Sequence, residues 1–214
     1  MKVAYFMIIH YTYGWTQRFV RSFFQHFPDK ELIVINNNPG PSQIVLKTRG
    51  HRGQNDTWNE LCQSELQYLN QPQITVHEMP REPNNTYELP THGEVLDYAF
   101  KWLSHYDYIW HLEPDCKING TLWHKRAWEA RNATVVGLGQ IHKEGPIAMS
   151  ICPTLWNTEK VLKLKMSFKK RKPNINTGQH ILRECVNRGE AKVVPNSDFI
   201  HYSGGTKRCP FMML

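Results

Sequence analysis

Cysteine is scarce and unpaired in this sequence. Cys62, Cys116, Cys152, Cys185 and Cys209 form an odd, scattered set without a Cys-x-x-Cys pair. That pattern argues against a zinc site and against a disulfide framework, and for a reducing, cytosol-like compartment. Long apolar runs are missing too. The opening run Val3 to Ile9 is too short for a signal or membrane-spanning segment and has no cleavage pattern behind it. It reads as a buried first strand. Asn-x-Thr triplets at Asn84 and Asn132 carry little weight without a secretory signal. Repeats and long linkers are absent as well.

What is present fits a globular domain. The 214 residues suffice for one sizeable core, so residues 1–214 read as a single domain. The abrupt end at Phe211-Met212-Met213-Leu214 is what one domain of a longer protein would show. Seven Trp and nine Tyr are plentiful. Flat rings of this kind pack against sugars, although most of them read as core and surface packing. The net charge of +7 admits nucleic acid, a membrane face or a phosphorylated ligand as partner. Lys163, Lys165, Lys169, Lys170, Arg171 and Lys172 crowd one stretch, which reads as a solvated loop. RNA recognition wants aromatic platforms among basic residues, and this stretch offers only Phe168. No nucleic-acid partner is therefore expected.

Short apolar runs alternate with helical periods along the chain. Strands are expected at Val3–Ile9, Leu32–Ile35, Ile74–Met79, Tyr108–Leu112, Thr134–Leu138 and Ile147–Ile151, with a last short one at Val193–Val194. Phe19, Phe23, Phe24 and Phe27 recur at helical spacing before Pro28-Asp29. Trp58, Leu61, Cys62, Leu66 and Leu69 form a second helix face, with Asn55 or Asp56 as cap. Thr91 and Glu94 read as a capping box for a third helix. Trp123–Ala130 and Thr177–Arg188 complete the helices, the latter closed by Gly189. This alternation predicts an α/β domain whose central sheet is mixed but mostly parallel and flanked by helices. Ligands of such sheets sit beyond the carboxyl ends of the strands.

The sharpest chemical signal stands there. His111-Leu112-Glu113-Pro114-Asp115 follows the fourth strand directly. Carboxylates two residues apart in extended chain point to one side. Pro114 ends ladder pairing, which leaves both acids exposed at the sheet's edge. Hard oxygen ligands of this kind suit Mn²⁺ or Mg²⁺ bound together with phosphates. By itself an acid-x-acid triplet is equally a charged turn. A second signal is His201-Tyr202-Ser203-Gly204-Gly205-Thr206-Lys207. Its glycines let the backbone approach a ligand closely, and its lysine can reach a phosphate. It reads equally as a polar loop in which His201 caps the core.

Together the two segments resemble the retaining nucleotide-sugar glycosyltransferases of the GT-A (Rossmann-like) fold, in the group of glycogenin-like enzymes and bacterial lipopolysaccharide galactosyltransferases. The size and look are also similar to compact glycosyltransferase domains of large algal viruses. The resemblance implies Asp115 and His201 as metal ligands, Glu113 as a metal ligand or a ribose contact, and Mn²⁺ (or Mg²⁺) as cofactor. Glu stands where the family has its first Asp. It implies Lys207 with Gly204 and Gly205 against the donor diphosphate, and Tyr11, Thr12 and Tyr13 around uracil and ribose. Asn36 and Asn38 fall where the base is read, and Arg52 and Asp56 where the donor sugar is held. Gln179, with Asp115, is the implied catalytic residue, lying on the far face of the sugar. The implied partners are a UDP-sugar and a glycan or glycoprotein acceptor, with the N-terminal half binding donor and the C-terminal half acceptor. The acceptor is expected against the basic loop and the stretch Pro146–Trp156. The implied compartment is cytoplasmic, the host cytoplasm for a viral protein.

The region from His92-Gly93 to Glu113 is also similar to inverting GT-A enzymes, whose base Asp lies near the late helix. Asn176 to His180 holds no carboxylate, which favours retention. Three alternatives stay open: an inverting transferase with Asp198 or another acid as base, a metal-dependent nucleotide-sugar phosphohydrolase, and a non-catalytic nucleotide- or RNA-binding module.

Overall fold

The computed structural model describes residues 1–10, 12–38, 56–80, 90–140, 148–169, 179–195 and 197–202. The elements run β1 (Val3–Ile9), α1 (Tyr13–His26), β2 (Leu32–Asn36), α2 (Asp56–Tyr68), β3 (Ile74–Glu78), α3 (His92–Trp102) and β4 (Tyr108–Leu112). There follow β5 (Cys116–Ile118), α4 (Leu122–Glu129), β6 (Val135–Gln140), β7 (Ala148–Asn157), α5 (Thr158–Lys163), α6 (Gln179–Asn187), β8 (Ala191–Pro195) and β9 (Phe199–His201).

Seven strands form one sheet in the order β3-β2-β1-β4-β7-β6-β8. Pairing is parallel from β3 through β4, because each of those strands is reached by a helical crossover. β7 runs antiparallel to both β4 and β6, and β6–β8 is parallel again. The expected mixed, mostly parallel α/β domain is therefore observed. The strand order reverses between β1 and β4: α1 leads from β1 outward to β2, whereas β4 lies on the other side of β1. A crevice opens at such a reversal, beyond the carboxyl ends of the two strands.

The sheet is covered on both faces, which explains why β1 reads as a continuous apolar run. Tyr5, Met7 and Ile9 pack with Phe19 and Phe23 of α1, with Phe27 at its C-cap and with Trp123 of α4. Ala4, Phe6 and Ile8 pack on the other face with Val95, Leu96 and Ala99 of α3. The capping box on Thr91 and Glu94 is present, Thr91 N donating to Glu94 Oε2 at 2.8 Å. Gly189 has φ +70°, as a glycine closing α6 requires.

Four elements differ from expectation. α1 begins at Tyr13, a turn and a half before the phenylalanine stripe, because Gly14, Trp15 and Thr16 are buried as well. The short strand expected at Ile147–Ile151 is the start of β7, which continues through cis-Pro153 to Asn157. α5 was not expected; Asn157 caps it by accepting from Lys160 N at 3.1 Å. The strand at Val193–Val194 is not the last, since β9 follows and pairs with β5 in a small second sheet.

One half-buried imidazole ties the core to pH. His124 lies between Tyr5 and Trp110, stacked at 5.8 and 4.8 Å, with Nε2 2.9 Å from the Tyr5 hydroxyl. Burial, helped by the charge of Lys30, lowers its pKa from 6.5 to about 4. Unfolded chains take up a proton in that window which folded chains refuse. The contribution of His124 is thus fully present above pH 6.5 and is lost as pH falls towards 4, by up to ~3 kcal/mol. Urea titrations of His124→Phe should lack this part of the acid slope. An unchanged slope would place the proton uptake elsewhere.

Candidate active site

The acid triplet leaves β4 at the crevice. Pro114 does interrupt the ladder, but pairing resumes one residue later. β5 pairs antiparallel with β9, with Cys116 opposite His201. Tyr202 N donates to Asp115 O at 2.8 Å, and Asn119 N donates to Asp198 O at 2.8 Å. This small sheet brings a distant stretch of chain onto the triplet. His201 Nε2 lies 3.1 Å from Glu113 Oε2 and 3.3 Å from Asp115 Oδ1.

The carboxylates are not exposed at the sheet's edge. The side chains of Glu113 and Asp115 are only 17% and 13% accessible, because β9 folds over them. Burial alone would raise the pKa of Glu113. The hydrogen bond from His201 and the fields of His92, His111 and His201 outweigh it and hold that pKa at about 2. Burial likewise opposes charge on His201. The hydrogen bonds to Asp115 and Glu113, with the surrounding negative field, outweigh it and push the pKa to about 11. A proton therefore sits between two carboxylates in a site with little water.

A divalent ion fits the same place. Asp115, Cys116 and His201 each offer a ligand atom within 4.8 Å of the others, and Glu113 adjoins them. Carboxylate oxygens with one imidazole suit Mn²⁺ or Mg²⁺; the Cys116 thiol, raised by burial, is the soft member of the group. Ion and proton compete for His201 Nε2. Affinity for Mn²⁺ is expected to rise about tenfold per pH unit from pH 6 to 8, with one proton released per ion. Calorimetry in buffers of different ionisation enthalpy measures that release; zero release would mean that His201 stays outside the coordination sphere.

The other expected site residues are distributed as follows. Thr12 is buried just before α1, and its hydroxyl lies 3.0 Å from Thr16 Oγ1 and donates to Glu65 Oε1 at 3.2 Å. Asn36 is the last residue of β2 and donates to both Glu78 oxygens, at 2.9 and 3.0 Å. Asn38 donates from its side chain to Glu65 Oε2 at 2.8 Å. Thr12, Asn36 and Asn38 are thus held by internal hydrogen bonds at the crevice rather than turned outward from it. Tyr13, Asp56 and Gln179 are the first residues of α1, α2 and α6. The side chains of those three, and Tyr11, Arg52, Gly204, Gly205 and Lys207 entirely, lie outside the described residues.

Two expectations about neighbouring segments change. Asp198 caps α4, its Oδ2 accepting from Leu122 N at 2.8 Å and its Oδ1 from Trp123 N at 3.3 Å. Both oxygens are occupied, so it is not placed to act as a base. The stretch Pro146–Trp156 is, in its described part, strand β7 between β4 and β6, with Cys152, Leu155 and Trp156 buried. Those residues face the core and not an acceptor.

Three residues were missed by sequence reading. Glu65 is fully buried in α2 and accepts from Thr12, Thr16 and Asn38. Burial raises its pKa while those hydrogen bonds oppose the rise. Nothing in the helical pattern marked it, since it sits on the apolar stripe. His92 and His111 stand beside Glu113. His111 had a legible signal, being two residues before Glu113 in extended chain.

No protein-family model and no curated protein matches the chain. Solved structures do. S. aureus TarS, residues 1–349, superposes with a TM-score of 0.57 at 10% identity, over 93% of this chain and 59% of that one. The glycosyltransferase GlyE of Streptococcus pneumoniae TIGR4 gives 0.53 at 10% identity, over 90% and 45%. CMP:2-keto-3-deoxy-manno-octonic acid synthetase, solved with CTP, gives 0.56 at 7% identity, over 100% and 98%. The chain spans 59% of the TarS fragment's length and 45% of GlyE's. At these identities the likeness shows the fold alone, a GT-A, Rossmann-like arrangement. No helix among the described residues is long and apolar enough to cross a membrane.

Proposed function

We propose that this domain is a glycosyltransferase that moves a hexosyl or deoxyhexosyl group from a UDP-sugar to a hydroxyl of a glycan or glycoprotein, with retention. One observation carries the reading. Glu113, Asp115 and His201 converge at the carboxyl end of β4, beside the strand reversal of a GT-A sheet. Glu113, Asp115 and His201 would hold the ion. When bound, Mn²⁺ or Mg²⁺ supplies Lewis-acid neutralisation of the leaving diphosphate.

The chain's own residues do the rest. Lys207 and the backbone N–H groups of Gly204 and Gly205 add fixed positive field at the diphosphate. Tyr11 and Tyr13 flank the nucleoside, and Arg52 and Asp56 hold the donor sugar. Thr12, Asn36 and Asn38 shape that pocket from beneath through their bonds to Glu65 and Glu78. The acceptor oxygen forms its bond to the anomeric carbon as the bond from that carbon to the phosphate oxygen breaks. The acceptor's proton passes to a donor phosphate oxygen, so no protein base is needed. Gln179 faces the reacting carbon from behind.

Calorimetry of UDP with and without Mn²⁺, followed by the anomeric configuration of the product, tests this. UDP binding that ignores Mn²⁺, or an inverted product, would overturn the corresponding part. The end-to-end match to a CTP-bound synthetase supports a second reading, nucleotidyl transfer onto a sugar. Pyrophosphate release from a nucleoside triphosphate and a sugar would identify it.

A further inference from the structure

We propose a second metal site, built from His92, His111 and Glu113 and selective for zinc-like ions, adjoining the diphosphate site. Each of the three residues offers one ligand atom, and these atoms lie within 4.8 Å of one another. They come from separate parts of the fold. His92 is the first residue of α3, held by the Thr91–Glu94 capping box. His111 lies in β4, fully buried and stacked on Phe6 at 5.1 Å. The two imidazole rings meet edge to face at 5.8 Å and 67°. Gly93, next to His92, runs so close to the backbone of Phe168 and Lys169 that an added Cβ would come within 2.7 Å of Phe168 O. Backbone contact on that side, with the cap, sets where His92 stands.

A second observation points to a ligand. His92 Nε2 is buried and has no hydrogen-bond partner among the described residues. A buried ring nitrogen without a partner is unfavourable, and most native ones are satisfied. The His92 ring as a whole is only partly buried, and an ion held by this nitrogen would satisfy it. The donor set also selects the ion. Two imidazoles and one carboxylate suit Zn²⁺, Co²⁺ and related late ions, and leave an open coordination position. Asp115, Glu113 and His201 form the harder, oxygen-rich set; the Cys116 thiol beside them is raised by burial, which keeps it protonated and a poor ligand. Glu113 is common to both groups and would join the two sites. The cysteine count spoke against zinc only for thiolate sites; this one uses imidazole.

Zinc and cobalt ions alone are the probes. Dialysed wild type is expected to retain one Zn²⁺ per chain in millimolar Mg²⁺. Co²⁺ in its place should give visible absorption of a four- or five-coordinate centre. His92→Ala should weaken Zn²⁺ at least ~100-fold, beyond the loss typical of supporting residues around a metal. Asp115→Asn should keep the ion and the Co²⁺ spectrum. His92→Gln serves if the alanine variant does not fold. No zinc retained by wild type, or equal retention in His92→Gln, overturns the site. Loss in Asp115→Asn alone also overturns it, by placing zinc in the diphosphate site. UDP binding with Mn²⁺ is read separately, so failure here leaves the transferase reading untouched, and the reverse holds.

Discussion

Asp115→Ala is expected to lower sugar transfer roughly a thousandfold or more and to abolish the Mn²⁺ dependence of UDP binding. The size follows from position. Asp115 is only 13% accessible and lies 3.3 Å from His201, so no water-exposed neighbour can take its place. Fixed charge in a site with little water acts far more strongly than the same charge in solvent. The fold should survive. The link from Tyr202 N to Asp115 uses the backbone oxygen, which alanine keeps, and His201 still has Glu113 at 3.1 Å. Circular dichroism and thermal melting check the fold, and product formation checks the activity. A variant that still transfers sugar in the presence of a chelator would remove the metal ligand role from Asp115 and with it the proposed mechanism.

Glu65→Ala should destabilise the domain by about 3–4 kcal/mol, a drop of roughly 10 °C in melting temperature for a chain of this size. The carboxylate accepts from Thr12, Thr16 and Asn38, all of them buried. Alanine removes the buried acceptor that these groups share, and each lost hydrogen bond costs about 1–3 kcal/mol before relaxation. Glu65 itself is unfavourably buried, which is why its pKa is raised and why the net loss is smaller than the sum. Glu65→Gln retains an oxygen for the two threonines and should cost about 1 kcal/mol. The alanine variant should also raise the KM for the donor more than it lowers kcat, because Thr12 and Asn38 line the end of the crevice beside β1 and β2. Equal stability of the alanine and glutamine variants would mean that the hydroxyls find other partners.

The architecture was legible because its central strands β1, β2 and β4 are buried on both faces. A strand such as β1 must then be apolar throughout, and the run Val3–Ile9 has the same bounds in sequence and structure. Thr91 and Glu94 were readable for a different reason: a capping box is local, and four consecutive residues contain the whole interaction. β5 and β9 were not readable. Each has three residues, too few for a period, and their pairing depends on a partner far along the chain. α5 was hidden by its basic residues, although Asn157 stood ready as its cap.

The chemistry divides along the same line. Adjacent positions alone put Glu113 and Asp115 after β4, with Pro114 between them to break the ladder; Pro114 and Asp115 form a turn rather than extended chain, so the convergence of the two carboxylates is a result of the tertiary fold. That His201 would face both acids was a matter of tertiary pairing, set by the register of Cys116 against His201. The same pairing covers the acids and shifts the protonation of Glu113 and His201 in opposite directions, which no local pattern could reveal. Glu65 and His92 were decided in three dimensions, whereas His111 was legible from its place two residues before Glu113. Local order determined the strands, the helix cap and the acid pair, since each is contained within a few consecutive residues. Tertiary structure decided burial, protonation and the identity of the third ligand, since those depend on which distant segments exclude water from the same small volume.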